Sequence, residues 1–324
     1  MVSSIWHQQR QICLKIISGV LSFCLLTSVS FAQPPDLIQL KPIQVSKNTY
    51  FVQGLPEIGS SQNQNFISNT GFVITPKGVV VIDALGSPAL AKKLLAEIKK
   101  ITNQKVVAVI VTHYHADHIY GLQVFRDAGA KIYAQELGKN YLNSETARQR
   151  LEASRVDFSP WINSSTHLVP ASHWIKNEKS LDVGGVQFLI SRVGPAHTQE
   201  DLMIYVPSEE VLFVGDLVFS GRVPFVGNAD SNGWIQSLGR IAALGPKVII
   251  PGHGAFSSDP QHDVEFTKGY LEYLRDSMKQ AAQNMDSFDD AYANTDWSEY
   301  EGMPLFRSAN KMNAYNVYLS IQAE

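Results

Sequence analysis

Four apolar, β-rich runs organise this chain: VVAVIV (106–111), VQFLISRV (186–193), VLFV (211–214) and KVIIP (247–251). Each ends in a short polar stretch that carries histidine or aspartate, respectively THYHADH, GPAHT, GDL and GHG. The first run is apolar on both faces, as expected of a strand covered above and below. An amphipathic helix precedes it, with Ser87 placed as cap, Pro88 in the first turn, and Leu90, Leu94, Leu95, Ile98 and Ile101 at helical spacing. Helices alternating with buried strands predict a layered α/β architecture. Because every run ends in a group that can bind a metal, the strand ends are expected to meet at one site.

The remaining segments fit around that frame. Ile38–Gln53 alternates like short strands, and Asn69–Leu85 reads as a hairpin turning at Pro76-Lys77-Gly78. The polar, aperiodic LPEIGSSQNQNFIS between them predicts a loop long enough to flap over a site. Residues 141–180 suggest two short helices and a connection, NGWIQSLGRIAAL a helix, and residues 259–285 a long helix. The catalytic domain is expected over residues 33–284, with residues 285–324 as a tail packing on it and ending in a helix.

Residues 1–32 stand apart. Arg10 and Lys15 precede the apolar run IISGVLSFCLLTSVSFA, and Ser30 and Ala32 occupy the small-residue positions of a cleavage site. This is the pattern of a secretory signal peptide, and it implies a periplasmic or secreted protein. Both cysteines, Cys13 and Cys24, lie within it, so the mature chain would carry no thiol and no disulfide. Cleavage removes two positive charges and no negative ones, moving the formal net charge from −3 to −5. A mildly acidic exported chain is a poor partner for nucleic acid. No stretch beyond the leader is apolar enough to span a bilayer.

Side chains two apart on an extended segment point the same way, so His113 and His115 can grip one ion together. Asp117 and His118 come next, where the chain turns into the following helix, and face a second position better than the first. Two ions need more ligands than this cluster holds. The other runs supply His197, Asp216 and His253. Of the nine histidines, five stand at these places and His7 lies in the leader; His167, His173 and His262 read as surface or core residues.

THYHADH with GPAHT, LFVGD and PGHG, in that order, resembles the metallo-β-lactamase-fold superfamily of metallohydrolases. The resemblance implies a four-layer αββα sandwich with its metal site at one edge of the two sheets. It assigns His113, His115 and His197 to one zinc and Asp117, His118 and His253 to another, with Asp216 bridging. Asp83, in VVVIDAL, matches an acidic residue that buttresses the ligands from behind. VLFVGDLVFSGRVPFVG and NKMNAYNVYLSIQAE are similar to an exported branch, the quinoprotein relay metallohydrolases, implying association with a quinoprotein or sulfur-oxidation system.

The resemblance thereby implies a dizinc hydrolase acting on an ester, thioester, lactone or amide-type bond of a small molecule. Asp117 would orient the attacking hydroxide. Arg222 could pair with a substrate carboxylate through its planar fork, and Tyr120 and Phe225 are candidate pocket walls. Three alternatives stay open. A persulfide dioxygenase would use one Fe2+ at the first site. A cysteine-free β-lactamase would share most ligands, although Asp216 argues against that class, and the absent mature cysteine against the cysteine-using ones. A non-catalytic periplasmic metal-binding accessory protein would show the same ligands.

Overall fold

The computed structural model describes residues 38–324; the leader expected at residues 1–32 lies outside them. Seven strands form the first sheet in chain order: β1 (Ile43–Gln44), β2 (Thr49–Val52), β3 (Thr70–Thr75), β4 (Gly78–Ile82), β5 (Val106–Ile110), β6 (Lys131–Gln135) and β7 (His173–Ile175). Pairing is antiparallel up to β4 and parallel from β4 to β7. The β3–β4 hairpin turns at Pro76-Lys77, with Thr75 opposite Gly78, as the sequence predicts. β7 is the addition: the stretch read as a bare connection contributes an edge strand, too short to show a period of two.

The second sheet contains β8 (Glu178–Val183), β9 (Val186–Arg192), β10 (Leu202–Val206), β11 (Val211–Phe219) and β12 (Val248–His253), ordered β12-β11-β10-β9-β8. Only β11 and β12 pair in parallel. Phe51, Val80, Ile110, Phe188, Ile204 and Phe213 belong to one buried cluster shared by both sheets. That shared core is what makes the molecule a sandwich.

Helices cover both outer faces. On the first sheet these include α1 (Pro88–Ile101), α2 (Ala116–Ile119) and α3 (Leu122–Asp127), with α4 (Gly138–Leu142) and α5 (Glu145–Asp157) next in the chain. Ser87 caps α1 by accepting from the Leu90 N–H, an arrangement worth about 1 kcal/mol. Leu90, Leu94 and Ile98 fill the inward stripe. On the second sheet lie α6 (Ser231–Ala243), α7 (Pro260–Asn284), α8 (Phe288–Ala293) and α9 (Phe306–Gln322). The architecture is therefore the expected αββα sandwich with C-terminal helices. Among the described residues, no helix is long and apolar enough to cross a membrane.

α9 is tied to the body by polar groups as well as by Ala314, Val317 and Ile321. Asn310 Oδ1 accepts from Tyr270 Oη at 2.8 Å, and Asn313 donates to the Pro224 carbonyl at 2.7 Å. Asn313 Oδ1 also accepts from the Val226 N–H at 2.9 Å. Both asparagines are fully buried. Their hydrogen bonds offset the desolvation cost and fix the helix against the loop after β11.

Candidate metal centre

The parallel pairs β4–β5 and β11–β12 bring their carboxyl ends to the same edge of the sandwich. Beyond β5, His113 is buried, and His115, in extended backbone, packs its ring edge-to-face on it at 4.7 Å. α2 starts at the next residue and its first turn supplies Asp117 and His118. His197 lies in the link from β9 to β10, where Asp201 accepts from both the N–H and the hydroxyl of Thr198 at 2.7 Å. His253 ends β12 and stacks on Phe219, with centroids 5.3 Å apart.

Asp216 departs from the expectation that its run would simply end there. It sits inside β11, at an irregularity where the register against β12 shifts on either side of Gly215. Gly215 has φ +52°, and a Cβ there would stand 2.6 Å from Thr112 Oγ1. Glycine permits the bulge, and the bulge re-aims the aspartate while the apolar strand continues to Phe219. An uninterrupted hydrophobic run conceals such a feature from sequence.

The seven side chains converge. His115 Nδ1 and His197 Nε2 are 3.0 Å apart; Asp216 Oδ2 lies 3.3 Å from His197 Nε2 and 3.9 Å from His113 Nε2. In the second group, Asp117 Oδ2 is 3.5 Å from His118 Nε2 and 3.3 Å from His253 Nε2. Asp216 reaches this group too, through Oδ1 to His118 at 3.2 Å and Oδ2 to His253 at 3.3 Å. His113, His115, His197 and Asp216 could hold one metal, and Asp117, His118 and His253 a second.

These spacings test the fit. Ligand bonds of roughly 2.0–2.1 Å set the vertices of a tetrahedron about 3.3 Å apart, which is the middle of the observed range. His113 Nε2, His118 Nε2 and Asp216 Oδ1 are buried without a properly directed hydrogen bond. Unpaired polar atoms in such a place cost about 1–3 kcal/mol each unless something occupies the centre. The donor set, imidazole and carboxylate without sulfur, suits a borderline cation such as zinc.

Asp83 lies behind His118, hydrogen-bonded to it and to Thr112. Its Oδ1 accepts from the Thr112 N–H at 2.8 Å, and its Oδ2 from the Thr112 hydroxyl at 2.7 Å and His118 Nδ1 at 2.9 Å. That pairing leaves His118 Nε2 facing inward. The backbone at Asp83 is left-handed, with φ +61°. His253 is oriented likewise, its Nδ1 2.8 Å from the Ile67 carbonyl.

Other sequence candidates divide. Phe225 is 40% exposed and lines two adjoining cavities beside the cluster. Arg222 lines one of them with Asp117, Asp216 and His253, its guanidinium stacked over Phe219 at 5.5 Å. Tyr120 lines neither and is fully buried in the core of the first sheet's helical face. His167, His173 and His262 are exposed. Sequence reasoning missed Thr112, Asn69 and Arg150. Asn69 joins the sheets, its N–H donating to the Gly252 carbonyl and its Nδ2 to Pro251 and Gly254. Arg150 is on an exposed face of α5, where no period distinguishes it from a solvated neighbour such as Arg148.

Burial sets the protonation of the first group. It holds His113 well below the ordinary imidazole value, His115 near 3 and His197 near 4. Burial also opposes charge on His118 and His253, but there nearby carboxylates, Asp117 foremost for His118 and Asp216 for His253, outweigh it and raise both. Without metal, the last two imidazoles contribute stability that is complete below 6.5 and is lost as pH rises through their raised values. The first three act oppositely, because below 6.5 the unfolded imidazoles take up protons that the folded ones refuse. Together these five imidazoles therefore contribute most to the stability of metal-free protein near 6.5. Metal loading should expel protons from His118 and His253 and hold stability on the alkaline side. Calorimetric titration with zinc in buffers of different ionisation enthalpy checks this; the same observed heat in every buffer would contradict it.

An αββα sandwich with such a histidine–aspartate cluster at its edge defines a metal-dependent hydrolase. A profile of the Metallo-beta-lactamase superfamily matches residues 64–253, and the chain belongs to that superfamily. It is 28% identical over 226 residues to a protein named Metallo-beta-lactamase type 2 from Elizabethkingia meningoseptica, covering 68% of this chain and 80% of that one. A Bacillus cereus protein of the same name is 24% identical over 256 residues, 75% of this chain and 90% of that one. In fold it matches the metallo-beta-lactamase from Pontibacter korlensis with TM-score 0.57 and 23% identity, over 72% of this chain and 99% of that one. The metallo-beta-lactamase IND-7 matches with the same TM-score and 24% identity, over 74% and 100%.

Proposed function

We propose that this metallohydrolase is an exported dizinc enzyme that cleaves an ester, thioester, lactone or amide-type bond in a small molecule. The observation that carries it is Asp216, one carboxylate whose two oxygens reach both ligand groups. His113, His115 and His197 would hold one ion, Asp117, His118 and His253 the other, with Asp216 common to both. When bound, two zinc ions supply Lewis acidity and lower the pKa of a water from ~15.7 toward neutrality.

The chain's own groups do the rest. Asp117 has more open surface than Asp216, 16% against 5% of the side chain, and lines a cavity. It is the carboxylate placed to orient the attacking water and take its proton. Arg222 brings a fixed positive charge to the same cavity, suited to the developing oxyanion. The leader-like segment supports export, and the likeness of the 211–227 and 310–324 stretches to the quinoprotein relay branch supports a quinoprotein or sulfur-oxidation setting.

Nitrocefin, a thioester and a lactone form the test panel, the first because the relatives are named metallo-beta-lactamases. Metal-loaded protein is expected to contain two zincs and to turn over at least one of the three. Asp117→Asn should lower that turnover about 10²-fold or more, the size of a lost general base. One bound iron with oxygen uptake on a persulfide, or full turnover in Asp117→Asn, would replace this reading.

A further inference from the structure

The cluster opens into a cleft with two arms, and one face of α9 walls both. The first arm is a cavity of about 290 Å³ with Asp117, Asp216, Arg222 and His253 at the cluster end and an apolar wall that includes Ile58, Ile67, Phe225, Leu305 and Ala309. The second, about 520 Å³, mixes Asn140, Tyr141, Asn228 and Asn316 with Met312 and the carboxylate of Glu200. His115, Arg150 and Phe225 border both, so the arms meet at the ligand cluster. On α9 and its cap the lining residues are Leu305, Ser308, Ala309, Met312 and Asn316. Their spacing of three, one, three and four is a single helical stripe. The neighbouring stripe carries Asn310, Asn313 and Val317, the side that anchors the helix.

Three further observations give the arms their chemistry. Ile58, Met312 and Phe225 remain 62%, 54% and 40% exposed, although burial is the usual fate of such side chains. All three stand on the cleft. Arg150 is exposed, and no ion pair joins it to a carboxylate among the described residues. The Tyr141 hydroxyl is buried without a hydrogen-bond partner, in the lining of the second arm.

We infer that the substrate is an amphiphilic acyl compound whose apolar acyl chain lies in the first arm and whose polar, anionic remainder lies in the second, beside Arg150 and Tyr141. This rests on the hydrolytic reading for its chemistry: water adds to the carbonyl carbon, the bond to the remainder breaks, and a proton passes to that leaving group, giving a carboxylic acid and an alcohol, thiol or amine. α9 selects the substrate through Ser308 and Ala309 at one arm and Met312 and Asn316 at the other. It lies outside the segment that the superfamily profile matches, which ends at residue 253.

The test measures binding and turnover separately. 3-(Octyloxy)benzoate is an uncleavable ether with both features; 3-methoxybenzoate lacks the chain, and 3-(octyloxy)benzamide lacks the charge. Titration of metal-loaded protein should show the first binding about tenfold or more tightly than either control, since burying several methylenes and pairing one charge each contribute on the order of 1 kcal/mol or more. Ser308→Trp, at an exposed position on α9, should abolish the chain-length preference and keep the charge preference. Arg150→Ala should do the reverse, and Ile58→Ser should weaken only the chain-length effect. Equal affinity for all three ligands, or variants that leave both preferences intact, would overturn the assignment. Selective binding with no hydrolysis of the matching ester, 3-octanoyloxybenzoate, would support the cleft assignment and count against the hydrolytic reading alone.

Discussion

Asp216→Ala is expected to lose metal and activity together, with kcat/KM falling about a thousandfold or more, some 4 kcal/mol of transition-state stabilisation. The reason is that no neighbour can substitute for it. Its two oxygens lie 3.2–3.9 Å from four imidazole nitrogens drawn from both ligand groups. Removing the carboxylate leaves His118 and His253 without the charge that helps raise their pKa values, so the metal-free variant should also hold fewer protons near neutrality. Elemental analysis and steady-state kinetics on the same preparation check the prediction. Two metals per chain with wild-type turnover would refute the bridging role.

Gly252→Ala is expected to do comparable damage without touching a ligand. A Cβ at this position would stand 1.9 Å from Asp216 Oδ1, 2.7 Å from the Gly215 carbonyl carbon and 2.8 Å from the Asp216 nitrogen. Two of those atoms are backbone in the bulge that aims the aspartate, and β12 itself is held by the Asn69 N–H bond to the Gly252 carbonyl. The methyl must therefore displace Asp216, and misplacing a reacting group by about 1 Å costs on the order of 10²-fold in rate. Overpacking should add about 1–3 kcal/mol of destabilisation. Thermal unfolding and zinc content measure the two parts. In the double variant with Asp216→Ala the stability losses should sum to less than their total, because one clash partner is gone. Strict additivity would count against a clash between them.

The two substitutions show why some of the site is legible from sequence and some is not. His113, His115, Asp117 and His118 are close in the chain, and the β5 run sets their directions, so local pattern nearly suffices. Asp216 is legible as a residue but not as a bulge, since VLFVGDLVF is buried throughout and gives no sign of the interruption beyond Gly215. Asp83 and His253 become meaningful only once the sheets bring them to one edge. Arg150 and the α9 stripe were not legible at all. A helical period separates a buried face from an open one, but it does not say that the open face borders a cleft built by loops far away in sequence. Tyr120 shows the complementary limit: nearness to ligands in the chain does not by itself put a ring on a cavity wall, and this one is fully buried among core side chains.

The backbone at Asp83 couples strain to chemistry. A non-glycine residue at φ +61° carries a conformational cost of the order of 1 kcal/mol or more, tolerated where surrounding bonds overdetermine it. Here the side-chain bonds to Thr112 and His118 join main-chain bonds to Ile110 and Thr70, so part of what secures the strained conformation also aims the imidazole. A drift toward glycine at this position would relax the main chain while releasing the ring. The residue thus sits where selection for robustness and selection for chemistry pull in opposite directions, and its persistence would report which of the two the protein has been kept for.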